Sequence, residues 1–211
     1  MKMKISLSDT GKRFNREWIF RRFSYDFYSG NAYAITGNNG SGKSTLLQVI
    51  GGAIMASEGM INYEHAGKNI TAEKLFEHIT IAAPYLELTE EMTLLEFLHF
   101  HGSFKPLRAD VTPNEIISIL GLEKSVNKQL RYFSSGMKQR VKLAQAIFSD
   151  VPVLLLDEPC SNLDEAGIAL YHQLIQNYCN DKLIIVSSNE PQEYHFCKET
   201  IRMSELRNDA A

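Results

Sequence analysis

Gly37-Asn38-Asn39-Gly40-Ser41-Gly42-Lys43-Ser44-Thr45 fits the pattern G-x-x-x-x-G-K-[ST], a turn whose residue types suit phosphate. Its glycines admit positive φ, so that successive N–H groups can point inward as an anion nest. The residues before it, 31–36, read as a short apolar strand. Those after it place Leu46, Leu47, Ile50 and Ile54 on one face of a helix. That helix would offer its N-terminal amides and its dipole to a bound anion. Lys43 would reach the β- and γ-phosphates of a nucleotide, and the Ser44 hydroxyl would ligate Mg²⁺.

Outward from the loop, residues 1–36 alternate apolar and polar in pieces: Met3, Ile5 and Leu7, then Trp18 and Phe20, then Phe23, Tyr25 and Phe27. A period of two marks half-buried strands. Residues 56–83 return to short strand-like pieces broken by Gly59 and Gly67. The middle of the chain is helical. Thr93-Leu94-Leu95-Glu96 is a capping box, and Thr112-Pro113-Asn114-Glu115 is a second, with Pro at the first helical position and Gly121 after the last turn. A third helix is predicted over about 135–149 from Met137, Val141, Ala144 and Phe148. Residues 153–156 are a continuous apolar run, as in a strand buried on both faces of a parallel sheet. A helix over 164–179 and a strand over 183–188 follow. The prediction is an α/β sheet carrying a helical insertion at 86–149.

That buried strand ends in Asp157-Glu158-Pro159. An Asp at the carboxyl end of such a strand presents a carboxylate to Mg²⁺, and Glu158 beside it is placed to polarise an attacking water as general base.

With these residues the sequence resembles the nucleotide-binding subunits of ABC transporters over nearly its whole length. The loop 37–45 corresponds to the Walker A motif, and Val153–Pro159 to Walker B with its glutamate. Ser161-Asn162-Leu163-Asp164 corresponds to the D-loop, and Phe133-Ser134-Ser135-Gly136-Met137 stands where the family has its signature. The resemblance implies a P-loop NTPase with a RecA-like mixed sheet core (1–85 and 150–211), an N-terminal antiparallel β-subdomain and an α-helical subdomain at 86–149. It implies ATP and Mg²⁺ as ligands, with Phe14 stacking on adenine. It also implies head-to-tail pairing with a second cassette, as homodimer or heterodimer. Each ATP would then lie between one loop and the Ser134, Ser135, Gly136 and Asp164 side of the other subunit. Hydrolysis would drive a transmembrane permease subunit on another chain, from the cytoplasmic, inner face of the cell membrane.

Three motifs depart from the family pattern. Ser135 stands for a glycine and Met137 for a glutamine in the signature. Tyr85 stands where a metal-ligating glutamine is expected, and a phenol is a poorer Mg²⁺ ligand than a carboxamide oxygen. Asn189 stands at the switch histidine; it can hydrogen-bond a γ-phosphate or position water but carries no proton near neutral pH. Slow turnover is the expectation. The alternative reading is a soluble ATP clamp of the same family, with slow or absent hydrolysis, acting in assembly or regulation.

Composition narrows the rest. The chain has 211 residues, 44% of them apolar, and a net charge of −3. That suits one globular unit and gives no basic excess for a nucleic-acid partner, so none is expected. No apolar run approaches the roughly 20 residues of a spanning helix, and the N-terminus does not read as a secretory signal. Cys160, Cys179 and Cys197 make neither a disulfide framework nor a metal knuckle, which points to a reducing cytosol. His99, His101 and His195 read as surface or packing residues, and Cys160 as a small packing residue.

Overall fold

In a computed structural model of the chain, which describes residues 2–207, the early alternation builds two long strands, β1 (Met3–Phe14) and β2 (Glu17–Tyr28), before the short β3 (Ala32–Thr36). Helix α1 (Lys43–Ile50) leads to β4 (Glu58–His65), β5 (Lys68–Asn69) and β6 (Ile79–Ala82). The helices α2 (Leu94–Phe104), α3 (Pro113–Ile119) and α4 (Ser135–Ile147) come next. Strand β7 (Val153–Asp157), α5 (Glu165–Tyr178), β8 (Leu183–Ser187), α6 (Pro191–Tyr194), β9 (Glu199–Arg202) and α7 (Met203–Arg207) complete the order. Short 3-10 turns occupy Ala72–Glu77, Glu123–Ser125 and Leu130–Tyr132.

The strands form two sheets, ordered β2-β1-β4-β5 and β6-β7-β8-β3-β9. In the first, β1 pairs antiparallel with β2 and with β4, and β4 with β5. In the second, β3 pairs parallel with β8 and β9, and β7 with β8. Every residue of β7 and β8 is buried, which is why those strands read as unbroken apolar runs rather than as alternations. Parallel pairing also stacks the carboxyl ends of neighbouring strands. Asp157 is level with Ser187, and Ser187 is level with Ile35. The loop after β3, the pair 157–158 and the turn after β8 therefore emerge at one edge of the sheet, where open α/β sheets present their sites.

The chain divides into two compact units: Met1–Ile81 with Pro152–Glu158 and Asp181–Ala211, and Ala82–Val151 with Pro159–Asn180. In the core of the first, Leu46, Leu47 and Ile50 of α1 meet Tyr33, Ile35, Val153, Leu155, Leu183 and Ile185 of the parallel sheet. The second contains the whole segment 86–149 and takes in α5 as well. Both capping boxes form there with reciprocal bonds, Thr93 with Glu96 and Thr112 with Glu115. Gly121 follows α3 at φ 66°. The helix predicted to 149 ends at Ile147, with Phe148 as its cap. Among the described residues no helix is long and apolar enough to cross a membrane.

Candidate functional site

The loop between β3 and α1 takes conformations that only glycine adopts readily: Gly37 at φ 148°, Gly40 at 75° and Gly42 at 101°. At Gly42 space is equally decisive, since a Cβ would stand 2.1 Å from Ile19 Cγ2. The turn closes through Ser41 N–H donating to the Asn38 carbonyl at 3.0 Å. Lys43 is 6% exposed, and its Nζ donates to the carbonyls of Gly37 at 2.8 Å and Asn38 at 3.4 Å. Its charge is thus held inside the curve of the loop. A cavity of about 260 Å³ opens here, lined by Ile19, Asn39, Gly40, Gly42, Lys43, Ser44, Thr45 and Glu158.

Asp157 ends β7, directly before Glu158 of the cavity lining, and is 2% exposed. Burial raises its carboxyl pKa above the ordinary value, while the hydroxyls of Ser44 and Ser187 and the charge of Lys43 pull it back. Its Oδ1 is buried without a hydrogen-bond partner among the described residues. An orphaned buried carboxylate oxygen beside a serine hydroxyl is the donor chemistry that a hard cation such as Mg²⁺ requires. Glu158 is the next residue, held at a positive φ of 43° and facing the cavity.

Asn189 follows β8 and is tied to the loop at two points. Gly37 N–H donates to its Oδ1 at 3.1 Å, and its Nδ2 donates to Asn39 Oδ1 at 3.1 Å. Phe14, expected to stack on adenine, sits at the end of β1 at 46% exposure and is not part of the cavity lining. Lys12 Nζ lies 4.9 Å from its ring centroid. Tyr85 lies after β6 in the second unit and is 49% exposed.

The second unit carries the other predicted residues. Ser134 caps α4, its Oγ accepting from Met137 N–H at 3.2 Å. Ser135 is exposed. The close backbone approach falls one residue later, at Gly136, where a Cβ would stand 2.9 Å from the Asn162 carbonyl oxygen. Asp164 Oδ1 accepts from Gly167 N–H at 2.8 Å and from Arg140 Nη2 at 3.1 Å. These bonds, the backbone one foremost, hold its carboxyl below the usual carboxylate range. A cavity of about 480 Å³ gathers Ser134, Ser135, Gly136, Arg140, Asn162 and Asp164 on one surface.

The sequence reading passed over Ile19, which packs against the loop from the strand face opposite Phe20, and Arg140, which fixes Asp164. Ile19 had a signal, since the alternation through Trp18 and Phe20 leaves it on the other face. Arg140 had none.

The sequence matches the ABC transporter family over residues 20–161. It is 33% identical over 192 residues to the uncharacterized ABC transporter ATP-binding protein YybJ of Bacillus subtilis, covering 90% of this chain and 87% of the relative. It is 29% identical over 194 residues to the cytochrome c biogenesis ATP-binding export protein CcmA of Agrobacterium fabrum, covering 90% of each. Among solved structures, the dimeric post-hydrolysis state of an ATP-binding cassette bound to ADP and Pi is similar with a TM-score of 0.78. It covers 94% of this chain and 93% of that one at 22% identity. A match that runs from β2 through both halves of the site to the residues after Glu158 makes this chain a member of the ABC transporter family.

Proposed function

We propose that the chain is the ATP-hydrolysing subunit of an ABC transporter, which pairs with a second cassette and drives a separate membrane subunit. One observation carries the reading: a glycine loop, Lys43, Ser44, Thr45 and Glu158 line the same cavity, and the buried Asp157 directly precedes Glu158. The loop amides and the start of α1 would hold the phosphates, and Lys43 would turn from the Gly37 and Asn38 carbonyls to the β- and γ-phosphates. Glu158 would take the proton of the attacking water. Ser44 and Asp157 would hold Mg²⁺, which when bound neutralises the charge that gathers on the phosphates. Tyr85 would approach that metal as a weaker donor, and Phe14 would carry the base.

The Ser134, Ser135, Gly136 and Asp164 surface would close on the γ-phosphate in the loop of the second cassette, with the capped start of α4 directed at the anion. Relatives named for cytochrome c biogenesis export support an exporter as the membrane partner. Such a subunit would work at the inner face of the cell membrane.

The test is MgATP hydrolysis by the purified chain across protein concentration, beside Glu158→Gln. Turnover should rise more steeply than linearly and fall by about 10²–10⁴ in the variant. A wild-type chain that binds ATP without turning it over, and that co-purifies with no membrane protein, would bring the soluble clamp forward.

A further inference from the structure

We infer that Asn189 is a positioning residue that braces the phosphate loop, setting its affinity for any nucleotide instead of reading the γ-phosphate. The inference rests on the ATP-binding reading of the site. Its orientation is determined by chemistry: Gly37 N–H can only donate, so Oδ1 faces it, and Nδ2 then needs an acceptor, which Asn39 Oδ1 supplies. One carboxamide thus grips the first and third residues of the loop.

Its own footing is firm. Ser188 N–H donates to the Ile35 carbonyl at 3.1 Å, and Glu190 N–H to Ser188 Oγ at 2.9 Å, so the turn after β8 is fastened to β3 on one side of Asn189 and closed on the other. The gripped residue needs such support. Gly37 sits at φ 148°, and a glycine explores more backbone states than any other residue. Lys43 Nζ holds the same turn from inside through the Gly37 and Asn38 carbonyls. Once Lys43 leaves those carbonyls for a phosphate, the Asn189 bonds keep the turn in its nest-like shape. The brace acts on the loop and therefore on the phosphates ADP and ATP share.

This separates a brace from a γ-phosphate contact. The full chain is titrated with MgADP and with a non-hydrolysable MgATP analogue, as wild type, Asn189→Ala, Asn39→Ala and the double variant. Asn189→Ala should weaken both nucleotides by the same factor, roughly tenfold, the order expected for two exposed hydrogen bonds. Asn39→Ala should lose part of that, and the double variant should be no weaker than Asn189→Ala alone. With ATP, KM should rise by that factor while kcat changes less. Loss of the ATP analogue alone, with ADP binding intact, would overturn the brace in favour of a γ-phosphate contact; unchanged binding of both would overturn it outright. A wild-type chain that binds neither nucleotide would remove the brace together with the reading beneath it.

Discussion

The main-chain N–H of Glu158 donates to the carbonyl of Ser187 at 2.9 Å, which extends the β7–β8 ladder one residue past β7 and leaves Glu158 at φ 43°. The left-handed region costs a non-glycine residue about 1–2 kcal/mol. The residue proposed to activate water therefore sits on a locally unfavourable backbone that the sheet imposes.

Removing the carboxylate while keeping or relieving that conformation separates chemistry from stability. Glu158→Ala and Glu158→Gly should both lower hydrolysis by about 10²–10⁴. Glu158→Gly should be the more stable of the two, by about 1 kcal/mol in urea melts, because glycine accepts positive φ. Equal stability would mean that the backbone there relaxes at no cost.

Asp157 should leave its mark on pH dependence. Its folded pKa is raised, chiefly by burial, so the native chain holds this proton more tightly than the unfolded chain. The stability it contributes is complete below the unfolded value of 3.8 and is lost as pH rises through the folded value. Asp157→Asn, neutral throughout, should be more stable than wild type near pH 7 without nucleotide, and the gap should narrow as pH falls toward 3.8. The same variant should lose Mg²⁺-dependent nucleotide binding.

Packing at the loop predicts an asymmetry between two glycines. A Cβ at Gly40 would meet nothing within 4 Å, whereas one at Gly42 would stand 2.1 Å from Ile19 Cγ2. Gly42→Ala should cost about 1–3 kcal/mol more than Gly40→Ala in thermal melts. Ile19→Ala should recover part of that loss in the double variant, and an additive double variant would place the strain elsewhere.

In the second unit His101 provides a titration of opposite sign. Its Nε2 lies 2.9 Å from Ser149 Oγ, whose own hydrogen goes to the Gln145 carbonyl, so the imidazole is the donor. Burial first, and then Lys105, lower its pKa below 6.5. The unfolded chain binds the extra proton more readily, so this stability is present above 6.5 and is lost as pH falls through the folded value. His101→Gln should flatten stability against pH across that window, as urea melts would show.

Local signals carry much of this molecule. The two capping boxes form because a threonine and a glutamate three residues on satisfy each other's backbone donors, a relationship confined to one turn. The glycine loop and the apolar run before Asp157 are likewise legible, because each residue's reason lies within its own stretch of chain. Other features depend on pairing at a distance. The bond from Asn189 to Asn39 spans 150 residues and exists because β8 lies beside β3, which no local period reveals. Following the large apolar residues Trp18 and Phe20 hid Ile19, and the 3-10 turn at Ala72–Glu77 is too short to show a period.

Helix α4 holds residues 159–164 at three places. Gly136 lies against the Asn162 carbonyl, buried Gln139 Nε2 donates to the Pro159 carbonyl at 2.8 Å, and Arg140 reaches Asp164. A single attachment would let the strap swivel on the helix, and two would let it rock. With three, strap and helix deform together, as flange and web do in a beam. Any push on Ser134 at the tip of α4 is then borne along the strap to the start of α5, with little lost to bending in between.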